Sequence, residues 1–136
     1  MGSSASYTDL IHKLGGKPMD GLYATMTAQQ PYLDEASQPI RFWATKYKTK
    51  FSEDPTVFSV YGYTIVDVLV KAAQKAGTNL STESFIKAMD TMTIEPDMFG
   101  APLSSFTATK RLGNDLSRLS QIVDGRWKVV SDYIKP

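Results

Sequence analysis

The chain carries one histidine, His12, and no cysteine. Without thiols there can be no disulfide framework, thiolate zinc site, iron–sulfur cluster or cysteine nucleophile. His12 sits beside Lys13 on a short helical pattern and reads as a surface residue rather than a general base. No local spacing supplies it with the serine and carboxylate partners that nucleophilic catalysis requires. The acidic pairs Asp34-Glu35, Glu53-Asp54 and Glu95-Pro96-Asp97 could hold a metal only if a loop wrapped an ion, because sequence neighbours point apart. They read as solvated surface. Gly15-Gly16-Lys17 lacks both the upstream glycine and the hydroxyl residue of a phosphate loop, since Pro18 follows the lysine. The expectation is no metal, no cofactor and no catalysis.

Two aromatic groupings remain. Trp43, Tyr47 and Phe51 are interleaved with Arg41, Lys46, Lys48 and Lys50, which reads as a solvated basic face over a buried aromatic stripe. Phe58, Tyr61 and Tyr63 stand at the N-terminal end of a long helical pattern. There, unpaired backbone N–H groups and the positive end of the helix dipole favour an anion such as a carboxylate, and phenolic hydroxyls could orient a small polar ligand. Packing in the core is the competing reading, and Tyr63, in register with Ile65, Val66 and Val70, is placed there.

The elements that must position these residues follow from periodicity. Tyr7 to Leu14 predicts a helix capped by Ser4 or Ser6 and ended by Gly15-Gly16. Gly21 to Met26 predicts a buried strand. A second helix is expected from Ile40 with Pro39 in its first turn, turning Ile40, Trp43, Ala44, Tyr47 and Phe51 inward. Val57 to Ala76 is the clearest helix, with Val60, Tyr63, Ile65, Val66, Leu69, Val70 and Ala73 on a wide apolar face and Gly77 past its end. Thr82 to Met92 predicts a helix capped by Ser81. The period then becomes alternating, and strands are expected at Leu103–Phe106, Leu116–Val123 and Arg126–Val130. Asp124-Gly125 is a strong hairpin turn signal.

Length and charge set bounds. With 136 residues the prior is one domain. Fifteen basic against fourteen acidic residues leave a net charge of +1, which argues against nucleic-acid binding through phosphate neutralisation. The longest apolar-rich run, Val57 to Ala76, is interrupted by Asp67 and Lys71 and is too polar to span a bilayer. The opening M-G-S-S-A-S has no charged region followed by an apolar one, so no secretory signal is read. The order helix, strand, three helices and hairpin fits an α/β layered fold.

In order along the chain stand D-G-L-Y-A-T, a charged helix ending K-Y-K-T-K-F, then F-S-V-Y-G-Y-T-I-V-D-V-L-V-K-A-A-Q-K-A-G, F-G-A-P-L-S-S-F and R-L-S-Q-I-V-D-G-R-W-K-V-V-S-D. This series resembles the C-terminal part of type I periplasmic solute-binding proteins of the leucine/isoleucine/valine-binding kind, the extracytoplasmic components of ABC importers. The resemblance runs from about Ser3 to Ile134 and implies a piece of a two-lobed α/β fold. Residues 1–26 would end one lobe and make a first crossing, 27–98 would belong to the other lobe, and 99–136 would cross back and add terminal strands to the first. It implies a small-molecule ligand, an amino acid or small organic acid, held between the lobes of the intact protein and handed to a permease in a periplasmic or extracytoplasmic setting.

The resemblance carries a ligand-facing aromatic onto Phe58, flanked by Tyr61 and Tyr63, with Thr25 and Thr27 beside the crossing. Phenylalanine rather than tyrosine at 58 removes a hydroxyl and leaves an aromatic acid as admissible as a branched-chain amino acid. Two alternatives stay open: a sensor of the same fold that regulates rather than transports, and an unrelated small α/β enzyme or interaction module. The absent signal is expected to reflect truncation. Strands cut from two parallel sheets would leave open edges and half-covered apolar faces, so a dimer or swapped assembly and negligible ligand affinity are expected of these 136 residues.

Overall fold

A computed structural model describes residues 1–135. After a single 3-10 turn at Ser4–Ser6, the chain forms α1 (Asp9–Gly15), a second 3-10 turn (Lys17–Met19) and β1 (Tyr23–Met26). Three helices follow, α2 (Gln38–Phe51), α3 (Val57–Ala76) and α4 (Thr82–Met89). Short strands β2 (Thr93–Ile94) and β3 (Ser104–Ser105) precede the hairpin of β4 (Arg118–Val123) and β5 (Arg126–Val129). The expected α/β class is therefore observed.

The helices begin where side chains replace missing backbone partners. Thr8, not Ser4 or Ser6, caps α1, its hydroxyl accepting from the Leu10 N–H at 3.4 Å. Thr56 and Ser59 form a capping box at the start of α3, and Ser81 and Ser84 repeat it for α4. Helix α3 keeps the expected bounds, stopped by Gly77, whose N–H donates to the carbonyls of Ala73 and Gln74. Helix α4 ends at Met89 rather than Met92, and the chain turns at once into β2, an element too short for a periodic signal.

The main sheet has the order β1-β4-β5, with every pair antiparallel. Strand β1 runs against β4 with Ala24 opposite Ser120, and β4 against β5 with Ile122 opposite Trp127. The Asp124-Gly125 turn joins them as expected, both residues lying at positive φ (54° and 70°), the signature of a primed hairpin turn. The strands expected from two parallel sheets are not paired that way here. Among the described residues the sole parallel pairing is an isolated bridge between Gly2 and Ala24.

Two apolar clusters hold these layers together. Ala24, Met26, Ile122 and Trp127 from the inward face of the sheet meet Tyr7 and Val57. The second cluster joins Ala28, Ile40, Val60 and Phe99. Tyr61 packs against both, so the N-terminal half of α3 ties sheet to helices. Beyond that half the expected inward face of α3 is not buried. Of the seven residues assigned to it only Val60 is buried; Tyr63, Ile65, Val66, Leu69 and Val70 are exposed. On α2, Ile40 and Ala44 are buried, Trp43 and Tyr47 are half-buried, and Phe51 lies outside. No helix among the described residues is long and apolar enough to cross a membrane.

Candidate ligand site

The first turn of α3 is anchored by a residue far away in sequence. Gln30 is 3% exposed. Its side-chain carbonyl Oε1 accepts from the Val57 N–H at 3.1 Å, while its own backbone N–H donates to the Tyr7 hydroxyl at 3.0 Å. The Thr56 N–H donates to Ser59 Oγ at 3.2 Å. The end of α3 is thus partly satisfied by protein, which corrects the picture of a row of unpaired N–H groups free for an anion. Sequence reasoning missed Gln30, because a glutamine in a Gln-Gln-Pro loop leaves no periodic mark.

The aromatic residues of α3 divide between two directions. Phe58 and Tyr61, three apart, share a face, and their rings meet edge-on with centroids 6.0 Å apart. Phe58 is 59% exposed, whereas Tyr61 is half-buried and desolvation raises its phenol above the usual range. Tyr63 points elsewhere. It meets Trp43 edge-on at 5.6 Å and Phe99 at 6.1 Å, and its outer side remains exposed rather than in the core. The three candidates therefore do not converge on one point.

Thr25 and Thr27 flank the end of β1. Thr25 lies opposite Leu119 in the sheet and is half-buried, while Thr27 is exposed just beyond it. Here the outgoing and returning segments touch. The Gln29 N–H donates to the Phe99 carbonyl at 2.9 Å. The Tyr133 hydroxyl donates to the Thr27 carbonyl at 3.3 Å and also to that of Gly100. Arg118 lies over the Tyr133 ring at 4.8 Å, and its Nη2 donates to the same Gly100 carbonyl at 3.3 Å. Gly100 holds φ at 72°, and a Cβ there would come within 2.4 Å of that Nη2.

Other concavities have different characters. A groove of about 640 Å³ between α2 and α3 includes Phe42, Trp43, Tyr47 and Tyr63, with Lys46 and Lys50 at its rim. It contains neither Phe58 nor Tyr61. A second cleft, about 400 Å³, lies over Tyr7, Gln30 and Trp127 beside Arg126. Arg126 pairs with Asp34 at 2.5 Å, stacks over Tyr32 at 4.1 Å and holds the Asp34 carboxyl below its usual range. His12 is half-buried rather than on the surface, and desolvation pushes its imidazole down toward the neutral form. Among the described residues no three His, Cys, Asp or Glu side chains are placed to hold a metal.

The sequence model of the family described as periplasmic binding protein matches residues 1–126. No curated protein matches the chain. Among solved structures, a branched-chain amino acid ABC transporter protein from Thermus thermophilus with bound valine superposes with a TM-score of 0.74 at 16% identity, over 94% of this chain and 37% of that one. A fatty acid ABC transporter substrate-binding protein from Thermomonospora curvata gives 0.76 at 20% identity, over 98% and 36%. A solute-binding protein from R. palustris in complex with benzoate gives 0.65 at 13%, over 93% and 34%. The chain therefore spans little more than a third of these proteins' length. With the type I fold expected from its motifs and a match over nearly all its residues, the chain belongs to the periplasmic binding protein family.

Proposed function

We propose that residues 1–136 form part of an extracytoplasmic solute-binding component of an ABC importer, one that encloses an amino acid or small carboxylate between two lobes and performs no chemistry. The observation that carries the reading is the juxtaposition of residues 27–30 with 99–100, directly below the turn of α3 that displays Phe58. Two chain segments bonded side by side at Gln29 and Phe99 are what a hinge between lobes requires, since a few residues there absorb the backbone rotation of closure. On this reading residues 1–26 end one lobe, 27–98 belong to the other, and 99–136 return to the first.

Phe58 supplies an apolar wall and the Tyr61 hydroxyl a polar contact. Thr25 and Thr27 lie at the crossing, and Tyr63 serves α2 packing on its inner side. Of the fold relatives named above, one holds valine, one is the substrate-binding protein of a fatty acid transporter and one holds benzoate, all carboxylates with apolar bodies. That chemistry fits an exposed phenyl ring beside a phenol. Delivery to a membrane permease follows from the same reading.

The test is a titration of the gene product carrying these residues with valine, benzoate and a medium-chain fatty acid, followed by tryptophan fluorescence. Saturable binding of one of them is expected. Phe58→Ala should weaken it about 10–100-fold, the loss of an aromatic side chain's apolar contact worth about 1.5–3 kcal/mol. Unchanged affinity in that variant overturns the role of Phe58, and binding of none overturns the ligand class.

A further inference from the structure

We propose that Arg126 is a positioning residue that sets ligand affinity without touching the ligand, by latching the two lobes to each other through the loop at residues 30–35. The proposal rests on the solute-binding reading above and on its division of the chain into 27–98 and the remainder. On that division the loop belongs to one lobe, while Tyr7, Arg126 and Trp127 belong to the other.

Alternate residues of the loop reach across. Beside the crossing, the Gln30 N–H donates to the Tyr7 hydroxyl at 3.0 Å. Two residues on, the Tyr32 hydroxyl accepts from the Trp127 N–H at 2.9 Å, and the Arg126 guanidinium lies over the Tyr32 ring at 4.1 Å. Two residues further, Asp34 pairs with the same guanidinium at 2.5 Å. The loop is also fastened to its own lobe. Gln30 Oε1 accepts from the Val57 N–H of α3, and Arg41 of α2 donates from Nη1 to the carbonyls of Glu35 and Ala36 at 2.6 and 2.7 Å. A pull on Asp34 therefore reaches α2 instead of peeling the loop away.

The three contacts differ in how readily they part. Gln30 and Tyr7 are 3% and 1% exposed, Tyr32 is half-buried, and the side chains of Arg126 and Asp34 are 36% and 72% exposed. Parting the dry contact strands a donor that water cannot reach, so it persists as a pivot. The wet pair exchanges its partner for water at little cost and can open and reclose. A guanidinium suits that task, because its plane stacks on an aromatic ring while its edge pairs with a carboxylate. Neither Phe58 nor Tyr61 lines the cleft beside Arg126, so its effect on affinity runs through the population of the binding-competent arrangement.

The test uses the gene product carrying these residues, with nitroxide labels at Lys17→Cys and Lys87→Cys, one on each proposed lobe. The 136 residues hold no cysteine of their own. Pulsed electron spin resonance without ligand reads the distances between the lobes. Arg126→Gln is expected to shift the ratio of the interlobe populations roughly 3–10-fold, the scale of a cation–π contact and an exposed ion pair together. Asp34→Asn should shift it the same way by less. Lys128→Gln removes the same charge two residues along, but Lys128 pairs with Asp124 of its own hairpin at 3.8 Å, and no shift is expected. Affinity for whichever of valine, benzoate and a medium-chain fatty acid binds should change in step with the populations. An unchanged distance distribution in Arg126→Gln overturns the latch, as does an equal shift in Lys128→Gln. A shift in populations with affinity unchanged overturns the role in binding. The distances are read without ligand, so binding of none of the three acids counts against the solute-binding reading and leaves the latch standing.

Discussion

Tyr7→Phe removes one oxygen from a buried polar contact that joins the start of the chain to the Gln30 loop. Tyr7 is 1% exposed and its ring meets Trp127 at a tilt of 53° with centroids 5.1 Å apart, so the apolar contacts survive the change. What is lost is the hydroxyl that accepts from the Gln30 N–H, and Gln30 itself is 3% exposed. Stranding a buried donor costs about 1–3 kcal/mol, more than the net worth of the bond, because water cannot reach the orphaned group. For a chain of this size each kcal/mol moves the midpoint by about 3 °C, so a loss of about 3–9 °C is expected. Tyr32→Phe provides the internal scale. Its hydroxyl accepts from the Trp127 N–H at 2.9 Å at the edge of the sheet, where water can substitute, and about 0.5–1.5 kcal/mol is expected. Thermal and urea unfolding followed by circular dichroism measures both. A Tyr7→Phe loss below about 0.5 kcal/mol, or one smaller than that of Tyr32→Phe, would refute the reasoning.

Alkaline pH should act through the same phenols. Burial raises Tyr7, Tyr32, Tyr61 and Tyr133 above their ordinary value, so the folded chain holds protons that the unfolded chain has released. The stability they contribute is complete below about pH 10 and falls as pH rises beyond it, read as a declining urea midpoint alongside phenolate absorbance. His12 acts with the opposite sign: its lowered value costs stability as pH falls through about 6.5, and His12→Gln should flatten that limb of the profile. Gly125→Ala should cost about 1–2 kcal/mol from positive φ alone, since a Cβ there meets nothing; a neutral effect in urea unfolding would show that the turn relaxes. Titration of the 136-residue chain with valine or benzoate should leave Trp43 and Trp127 fluorescence without a saturable change. Tight binding would show the site to be complete within these residues.

What the sequence discloses and what it withholds separate along one line. Helix α3 is legible end to end because its signals are local: Thr56 and Ser59 at one end, Gly77 at the other, unbroken apolar periodicity between. The hairpin is legible for the same reason, since Asp124-Gly125 carries its own backbone preference. Periodicity also contained the division of the aromatic residues, because positions 58 and 61 share a helix face and 63 does not. Treating the three as one cluster passed over that geometry. Burial was not legible. Ile65, Val66, Leu69 and Val70 have the pattern of an inward face, yet a pattern states only that a helix has an apolar side and not what lies against it. Gln30 was invisible for the opposite reason, its role being a contact across 27 residues with a backbone N–H.

The two halves of α3 accordingly answer to different constraints. Its first two turns are fixed from several directions at once: Gln30 holds the Val57 N–H, Val57 enters the sheet cluster, Val60 enters the helix cluster, and Tyr61 spans both. A side chain on that segment, such as Phe58, is presented on a rigid support, which is what recognition of a small ligand demands because preorganised contacts lose little entropy on binding. From Ile65 onward the side chains of Ile65, Val66, Leu69 and Val70 stay exposed, while Ala72, only about 60° around the helix from Leu69, is fully buried. One end of the helix is therefore a rigid support and the other an uncovered apolar face. Substitutions at Leu69 and Phe58 sit about 16 Å apart along the axis, beyond the range at which mutational effects ordinarily couple, so a double variant should show the sum of the two single changes in urea unfolding.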